Sequence, residues 1–236
     1  MTDPRHICAV IPTYNNGGTV ADVVRGVLRQ GLPVLVVDDG STDDTARKLE
    51  GLEVRVLRHE KNRGKGHALK TGLEEARRLG YRFALTIDAD GQHDPEDVPD
   101  LVAAAGERTL VIGSRNVAAD GMAAASTFAN RFSNFWFAVQ TGRKLPDTQT
   151  GFRIYPLEDI PSLRLLTARY EAELTLLVFS AWKGLRLVPV PVRVYYPADR
   201  VTHFRPFADF FRISVLNTIL CLLALVYGYP RMLLGR

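Results

Sequence analysis

The sequence predicts an α/β protein built on a mostly parallel, doubly wound sheet. Two observations lead there. Apolar strand-like runs alternate with amphipathic helical patterns from the start of the chain, as parallel sheets require. Most of the early runs also end in a polar turn, which would gather those turns at one sheet edge, where open α/β sheets place their ligands. The size fits. The chain has 236 residues, 46% hydrophobic and 24% charged, enough for one core-bearing domain with an appendage and too apolar for disorder. Lysine plus arginine is 30 against 26 acidic residues, an excess of four that suits an anionic ligand or membrane surface and does not call for nucleic acid. Cys8 and Cys221 lie far apart without metal-type spacing, so a reduced setting is expected. The polar start Met1–His6 carries no pattern of a secretory leader.

The elements follow in order. Ile7 to Ile11 is the first strand, ended by Pro12, and Thr19 is positioned to cap a helix with Val20, Val23, Val24, Val27 and Leu28 on one face. Val34–Val37 is the second strand, followed by Ser41 and Thr42 as caps with Asp43 and Asp44 in the next first turn. Val54–Leu57 is the third strand. A helix over about 65–79 should turn Leu69, Leu73, Ala76 and Leu79 inward. Phe83–Ile87 is the fourth strand, and Asp94-Pro95 then starts a helix carrying Val98, Leu101 and Val102. Leu110–Gly113 is the fifth strand. Ala118 to Ser126 reads as a loop, and 128–139 and 171–183 as helices. Val188-Pro189-Val190-Pro191-Val192 can only be an edge strand, because proline donates nothing to a ladder.

The chemistry centres on Asp88-Ala89-Asp90-Gly91-Gln92-His93, directly after the fourth strand. Two carboxylates one residue apart repel each other unless a cation lies between them, and their hard oxygens suit Mg2+ or Mn2+, which in turn hold phosphates. The plain alternative is a strand end with surface acids and a helix cap. Three other loops should reach the same crevice: Ile11–Asn16, Val37–Asp43 and Asn62–Gly66. There Asp39 can accept from a base N–H, Tyr14 can stack on a base, and Lys65 with its glycines can approach phosphates. Each alone has a bland reading as a cap, a packing ring or a plain loop. Their joint order beside the acidic pair makes that reading hard to keep.

Taken together the motifs resemble a family 2 glycosyltransferase of the GT-A fold, most closely the polyprenyl-phosphate branch typified by dolichyl-phosphate mannose synthase. They are Pro12-Thr13-Tyr14-Asn15, Val36–Asp43, Asn62–Gly66, Asp88–Pro95, Gly113-Ser114-Arg115, Asp147–Arg153 and Tyr170–Glu173, spread over about 6 to 204. The resemblance implies a metal held by Asp88, Asp90 and Gln92, a base at Asp39, and phosphates at Arg115 and Arg153, with Arg131 near the reaction centre. It implies donor contacts from Pro12, Tyr14, Asn16, Asp38, Asp39, Lys65, Asp88, Ala89 and Asp90 to a GDP- or UDP-linked sugar. Two departures stand out. Asn16 takes the place of the family's usual glutamate, and Arg200-Val201-Thr202-His203 carries histidine where lysine is expected. Phosphatases with an aspartate nucleophile also carry Asp-x-Asp at a strand end, but on their first strand rather than the fourth.

A lipid-phosphate acceptor arrives already ionised, so positioning by Arg115, Arg131, Arg153 and Arg200 would suffice, with inversion at the anomeric carbon. A hydroxyl acceptor (a glycolipid, diacylglycerol or sugar chain) would need a base, for which Asp147, Glu171 and Glu173 are the candidates. A non-catalytic nucleotide-binding module at a membrane is the rival from another class. Residues 1–204 are expected to form the catalytic domain and 205–236 a membrane-interface tail. Ile213 to Tyr229 carries no charge, yet it is shorter than the about 20 residues a spanning helix wants. An interfacial helix is therefore favoured, with Arg205, Arg212, Arg231 and Arg236 at headgroups on the cytoplasmic face. Packing on the sheet, a homodimer contact and a true span are the alternatives.

Overall fold

The computed structural model describes residues 4–115, 124–163, 171–195 and 206–234. A seven-stranded sheet has the order β3-β2-β1-β4-β6-β5-β7, with β1 at Ile7–Thr13, β2 at Val34–Asp38, β3 at Val54–Arg58, β4 at Phe83–Thr86, β5 at Thr109–Arg115, β6 at Arg153–Pro156 and β7 at Arg186–Val192. All neighbours pair parallel except at β6, which runs antiparallel to both β4 and β5. The β1, β2 and β4 runs are buried throughout, which is why they read as uninterrupted apolar segments. The proline-bearing β7 closes one edge, as expected. The sequence reading missed β6. It is four residues long, starts with arginine and ends with proline, and exists only because it is paired on both sides.

Helices cover both faces. On one, α1 (Val20–Arg29) and α4 (Val98–Ala104) pack Val20, Val24, Val98 and Leu101 on Ile7, Ile11 and Leu85. On the other, α3 (Lys65–Arg78), α5 (Ala124–Thr141) and α6 (Glu171–Trp182) bring Leu69, Leu73, Phe137, Leu177 and Trp182 onto Val10, Leu110 and Ile112. α2 (Thr45–Lys48) is a single turn. Leu79, expected inward, is the residue that ends α3 and is 40% exposed. Thr19 precedes α1 but makes no cap bond; its hydroxyl instead donates to the Ala89 carbonyl at 2.6 Å, tying the first loop to the acidic motif. Asp94 does cap, accepting from Glu96 N at 2.9 Å.

At the carboxyl end, α7 (Pro206–Leu223) continues through a π-helical turn at Ala224–Gly228 into α8 (Tyr229–Leu233). Leu220 and Ala224 join the α5–α6 core. Gln140 Nε2 donates to Asn217 Oδ1 at 2.9 Å, and Trp182 Nε1 donates to the Gln140 carbonyl at 2.8 Å. Gly228 lies flat on the Trp182 indole, where a Cβ would overlap the ring. The opposite side is bare: Ile219, Leu222, Leu225 and Val226 are between 48% and 75% exposed. From Ile213 to Leu233 the helix is long and apolar enough to cross a membrane by length and composition, with mean hydropathy 1.7. The side chains of Phe207, Asp209, Phe210, Phe211 and Arg212, and residues Arg205 and Arg236, lie outside the described residues.

Candidate active site

The crevice forms where β1, β2 and β4 release the chain. Asn15 takes a left-handed conformation (φ 54°). Its N–H donates to Ser41 Oγ at 2.9 Å and its Oδ1 accepts from Thr42 N at 2.8 Å, so the loops after β1 and β2 are stitched together. Tyr14, half-buried, stands between Pro12 and this joint. Asn16 turns into its own loop, accepting from Thr13 Oγ1 and Tyr14 N at 3.3 Å each. Asp38 is fully buried and accepts from Ser41 N at 2.8 Å. Asp39 is 2% exposed. Its oxygens accept from Arg63 N at 3.0 Å, from Gly64 N at 2.7 Å, and pair with His59 Nδ1 at 2.6 Å. Expected at a nucleotide base, Asp39 in this structure also holds the loop that leads into α3. Nothing in the sequence pointed to His59, because it meets Asp39 only where the paired strands β2 and β3 end side by side.

Asp88 begins the acidic motif. Lys65, the first residue of α3, bridges Asp88 Oδ1 at 2.7 Å and Glu173 Oε2 at 3.0 Å. Burial works against the ammonium, but the two carboxylates outweigh it and hold Lys65 above the ordinary lysine range. Burial likewise opposes the Asp88 charge, and Lys65 overrides it, keeping Asp88 low. For Asp90, burial and then the Asp88 charge outweigh the Gln92 N–H and the Lys65 charge and push it up to about 6. Gln92 N donates to Asp90 Oδ1 at 3.0 Å, and the Gln92 carbonyl accepts from Tyr195 N at 2.8 Å. Gly151 closes the floor. A Cβ there would sit 2.7 Å from Asp88 Oδ2 and 2.9 Å from Glu173 Oε1, so only glycine admits both carboxylates. Glu173, 7% exposed, is pushed upward by burial and then by Asp88. The sequence placed it in a first helical turn but did not show that the turn faces inward.

Arg115, at the end of β5, forks onto Asp147: Nε to Oδ2 is 2.5 Å and Nη2 to Oδ1 is 2.9 Å. Asn130 on α5 adds a 2.7 Å bond to Asp147 Oδ1. Despite its burial Asp147 is held low by the Arg115 guanidinium. His93 packs on Phe152 with ring centroids 5.2 Å apart and is driven down to about 4 by burial, so it is neutral at physiological pH. Arg153 corrects an expectation. It is fully buried, and its guanidinium donates to the Glu173 carbonyl at 2.8 Å and the Thr148 carbonyl at 2.9 Å. Its position on the interior strand β6 makes it a brace under the crevice rather than a hand on a phosphate. Arg131 is exposed on α5, and Glu171 is half-buried at the start of α6. Arg200 and His203 lie outside the described residues.

Asp88, Asp90 and Gln92 offer hard oxygens, and Asp90 sits in a mutual repulsion that a divalent cation would relieve. Among the described residues no group of three His, Cys, Asp or Glu forms a complete metal cage.

Known proteins share this chain's sequence pattern and its fold. The family model described as glycosyl transferase family 2 matches residues 8–159. The undecaprenyl-phosphate mannosyltransferase of Micrococcus luteus is 32% identical, over 79% of this chain and 82% of its own. The UDP-N-acetylglucosamine–dolichyl-phosphate N-acetylglucosaminyltransferase of Methanococcus voltae is 28% identical, over 80% of this chain and 86% of its own. Among solved structures, glucosyl-3-phosphoglycerate synthase of Mycobacterium tuberculosis, in complex with Mn2+, UDP-glucose and phosphoglyceric acid, superposes with a TM-score of 0.65 at 22% identity, covering 92% of this chain and 79% of that one. It shares the GT-A fold.

Proposed function

Because the chain belongs to glycosyl transferase family 2, we propose that it moves a sugar, with inversion, from a nucleotide-diphosphate sugar to a polyprenyl phosphate at a membrane surface. The observation that carries this reading is the acidic centre: Asp88, bridged by Lys65, and Asp90 two positions on, both half-buried on the rim of a crevice, in a family that releases nucleoside diphosphates. Bound Mg2+ or Mn2+ would supply charge neutralisation for the departing diphosphate. Asp88, Asp90 and Gln92 would hold it. Lys65 keeps Asp88 ionised and oriented, and Glu173 fixes Lys65 from the far side. The stitched loops of Tyr14, Asn16 and Asp38, with the Asp39-held segment, form the wall against which we place the base and ribose of a GDP- or UDP-linked donor. Arg115, locked in plane by Asp147, presents a fixed positive charge beside the motif.

The carboxylates favour one acceptor class. Asp147 is committed to Arg115 and Asn130, and Glu173 to Lys65. An acceptor that needs no base, a phosphate already ionised, is the simpler match, and both curated relatives are named for such acceptors. A hydroxyl acceptor would fall to Glu171.

The carboxyl-terminal helix supports a membrane surface. Between Asn217 and Tyr229 it is held on the catalytic body, through Asn217, Gly228 and the Tyr229 hydroxyl on the Val139 carbonyl. A helix held that way lies along the body, so its bare side suits the plane of the interface better than a perpendicular span. Phe128, Phe135 and Val139 of α5, all exposed, add to an apolar surface. We assign the cytoplasmic face, since both cysteines are free. The test is incubation with a panel of nucleotide sugars, Mn2+ and a short polyprenyl phosphate, reading the product mass. Nucleotide binding with no turnover on any acceptor would favour the silent module. A stable homodimer that ignores liposomes would make a second copy the cover of the apolar face.

A further inference from the structure

A second cavity, of about 420 Å³, opens at the end of the sheet opposite the crevice. Arg143, Lys144 and Arg186 line it together with Leu145, Leu187 and Pro189. Arg186 starts β7 beside Thr109, whereas the crevice residue Arg115 pairs with Val192, so the two sites are roughly 20 Å apart along the strands. Lys144 and Arg186 are exposed, and Arg143 is fixed by a 2.7 Å bond to the Leu185 carbonyl. Arg108 and Lys183 adjoin, with Asp159 as their counter-charge at 3.8 Å from Arg108. Lys183 is held below its ordinary range by burial and, despite Asp159, by the neighbouring Arg108, Arg231 and Arg77. The rim continues into the apolar helix. The Tyr229 hydroxyl donates to Val139, and Tyr229 Cε1 lies 3.9 Å from where a Cβ of Gly142 would be.

We propose that this pocket seats the phosphate of an anionic phospholipid headgroup when the bare side of the carboxyl-terminal helix rests on a membrane. The proposal rests on the membrane reading above and adds a lipid preference to it. A helix from Pro206 to Leu233 runs roughly 40 Å. Its far end at Tyr229–Leu233 is anchored beside the cationic pocket. The apolar face would supply the insertion and Arg143, Lys144 and Arg186 the charge attraction that an anionic leaflet offers.

The test is flotation of the full chain with phosphatidylcholine vesicles, with and without phosphatidylglycerol. The chain should bind the anionic vesicles more tightly, and Lys144→Gln/Arg186→Gln should lose roughly tenfold or more on those while neutral vesicles bind unchanged. Arg25→Gln/Arg29→Gln removes the same charge from α1 on the other sheet face and should leave the preference intact. Equal loss in this control overturns the proposal, since net charge would then be the cause. An undiminished preference in the pocket variant overturns it and spares the membrane reading, whereas failure to bind any vesicle overturns both. Titration by inorganic phosphate alone, lost in the pocket variant, would make the cavity a site for a soluble anion and overturn it as well.

Discussion

Asp90→Asn should make the cation-free protein more stable and the enzyme inactive. The Asp90 carboxyl is lifted from 3.8 to about 6 by burial and by the neighbouring Asp88 charge. Below about pH 4 it is protonated in both folded and unfolded chains and contributes no penalty. As pH rises the unfolded chain ionises first, so stability is lost progressively up to about pH 6 and stays lost above it. Each tenfold step is worth about 1.4 kcal/mol, and the side chain keeps some solvent, so we discount the sum to about 1–2 kcal/mol. Asparagine is uncharged and its Oδ1 can still accept from Gln92 N. Without divalent ions at pH 7.5 the variant should melt roughly 3–6 °C higher than the parent, and at pH 4 the gap should close. Mn2+ should raise the melting point of the parent and not of the variant, and transfer should slow by about 100-fold or more. Differential scanning calorimetry at the two pH values, with and without Mn2+, reads all of this. A variant that melts lower at pH 7.5, or that still responds fully to Mn2+, refutes the assignment of Asp90 as a strained cation ligand.

Other outcomes follow from the same contacts. Asp147→Ala removes one side of a buried ion pair and strands Arg115, so it should cost about 3–5 kcal/mol in urea unfolding and abolish transfer. Gly151→Ala forces a Cβ between Asp88 and Glu173, and should weaken Mn2+ binding by isothermal calorimetry while the far-ultraviolet dichroism is retained. Gly228→Ala pushes the helix off Trp182 and should lower stability by about 1–3 kcal/mol, seen as altered tryptophan fluorescence and an earlier melt. Deleting 206–236 should release the protein from liposomes, leave nucleotide binding intact and abolish transfer to long-chain acceptors.

The parts of this molecule that could be read from sequence are those whose cause is local. Strands β1, β2 and β4 are buried on both faces, so each shows as an unbroken apolar run. Asp88-Ala89-Asp90 is legible because its spacing and the glycine after it are in one stretch. What escaped notice depends on distant partners. Strand β6 is defined by ladders on both sides, and its arginine, seemingly a ligand, is walled in by carbonyls of Thr148 and Glu173. Glu173 and Lys65 are 108 positions apart in the chain and meet only over Gly151. Asp39 shows as an acid at a strand end, but the histidine and backbone amides that claim it come from the next loop. The carboxyl-terminal stretch announced its apolarity, while the side that packs on α5 and α6 was decided by Asn217 and Gly228, which look unremarkable in the sequence.

The central claim is transfer to a lipid phosphate, and a paired-acceptor assay meets it most directly. The full chain, Mn2+ and the active nucleotide sugar are given a short polyprenyl phosphate in one tube and the matching polyprenol in another, and the lipid products are weighed by mass spectrometry. The account predicts a product heavier by one sugar residue from the phosphate, with the phosphate now a diester, and none from the alcohol. Transfer to the alcohol with none to the phosphate would contradict it.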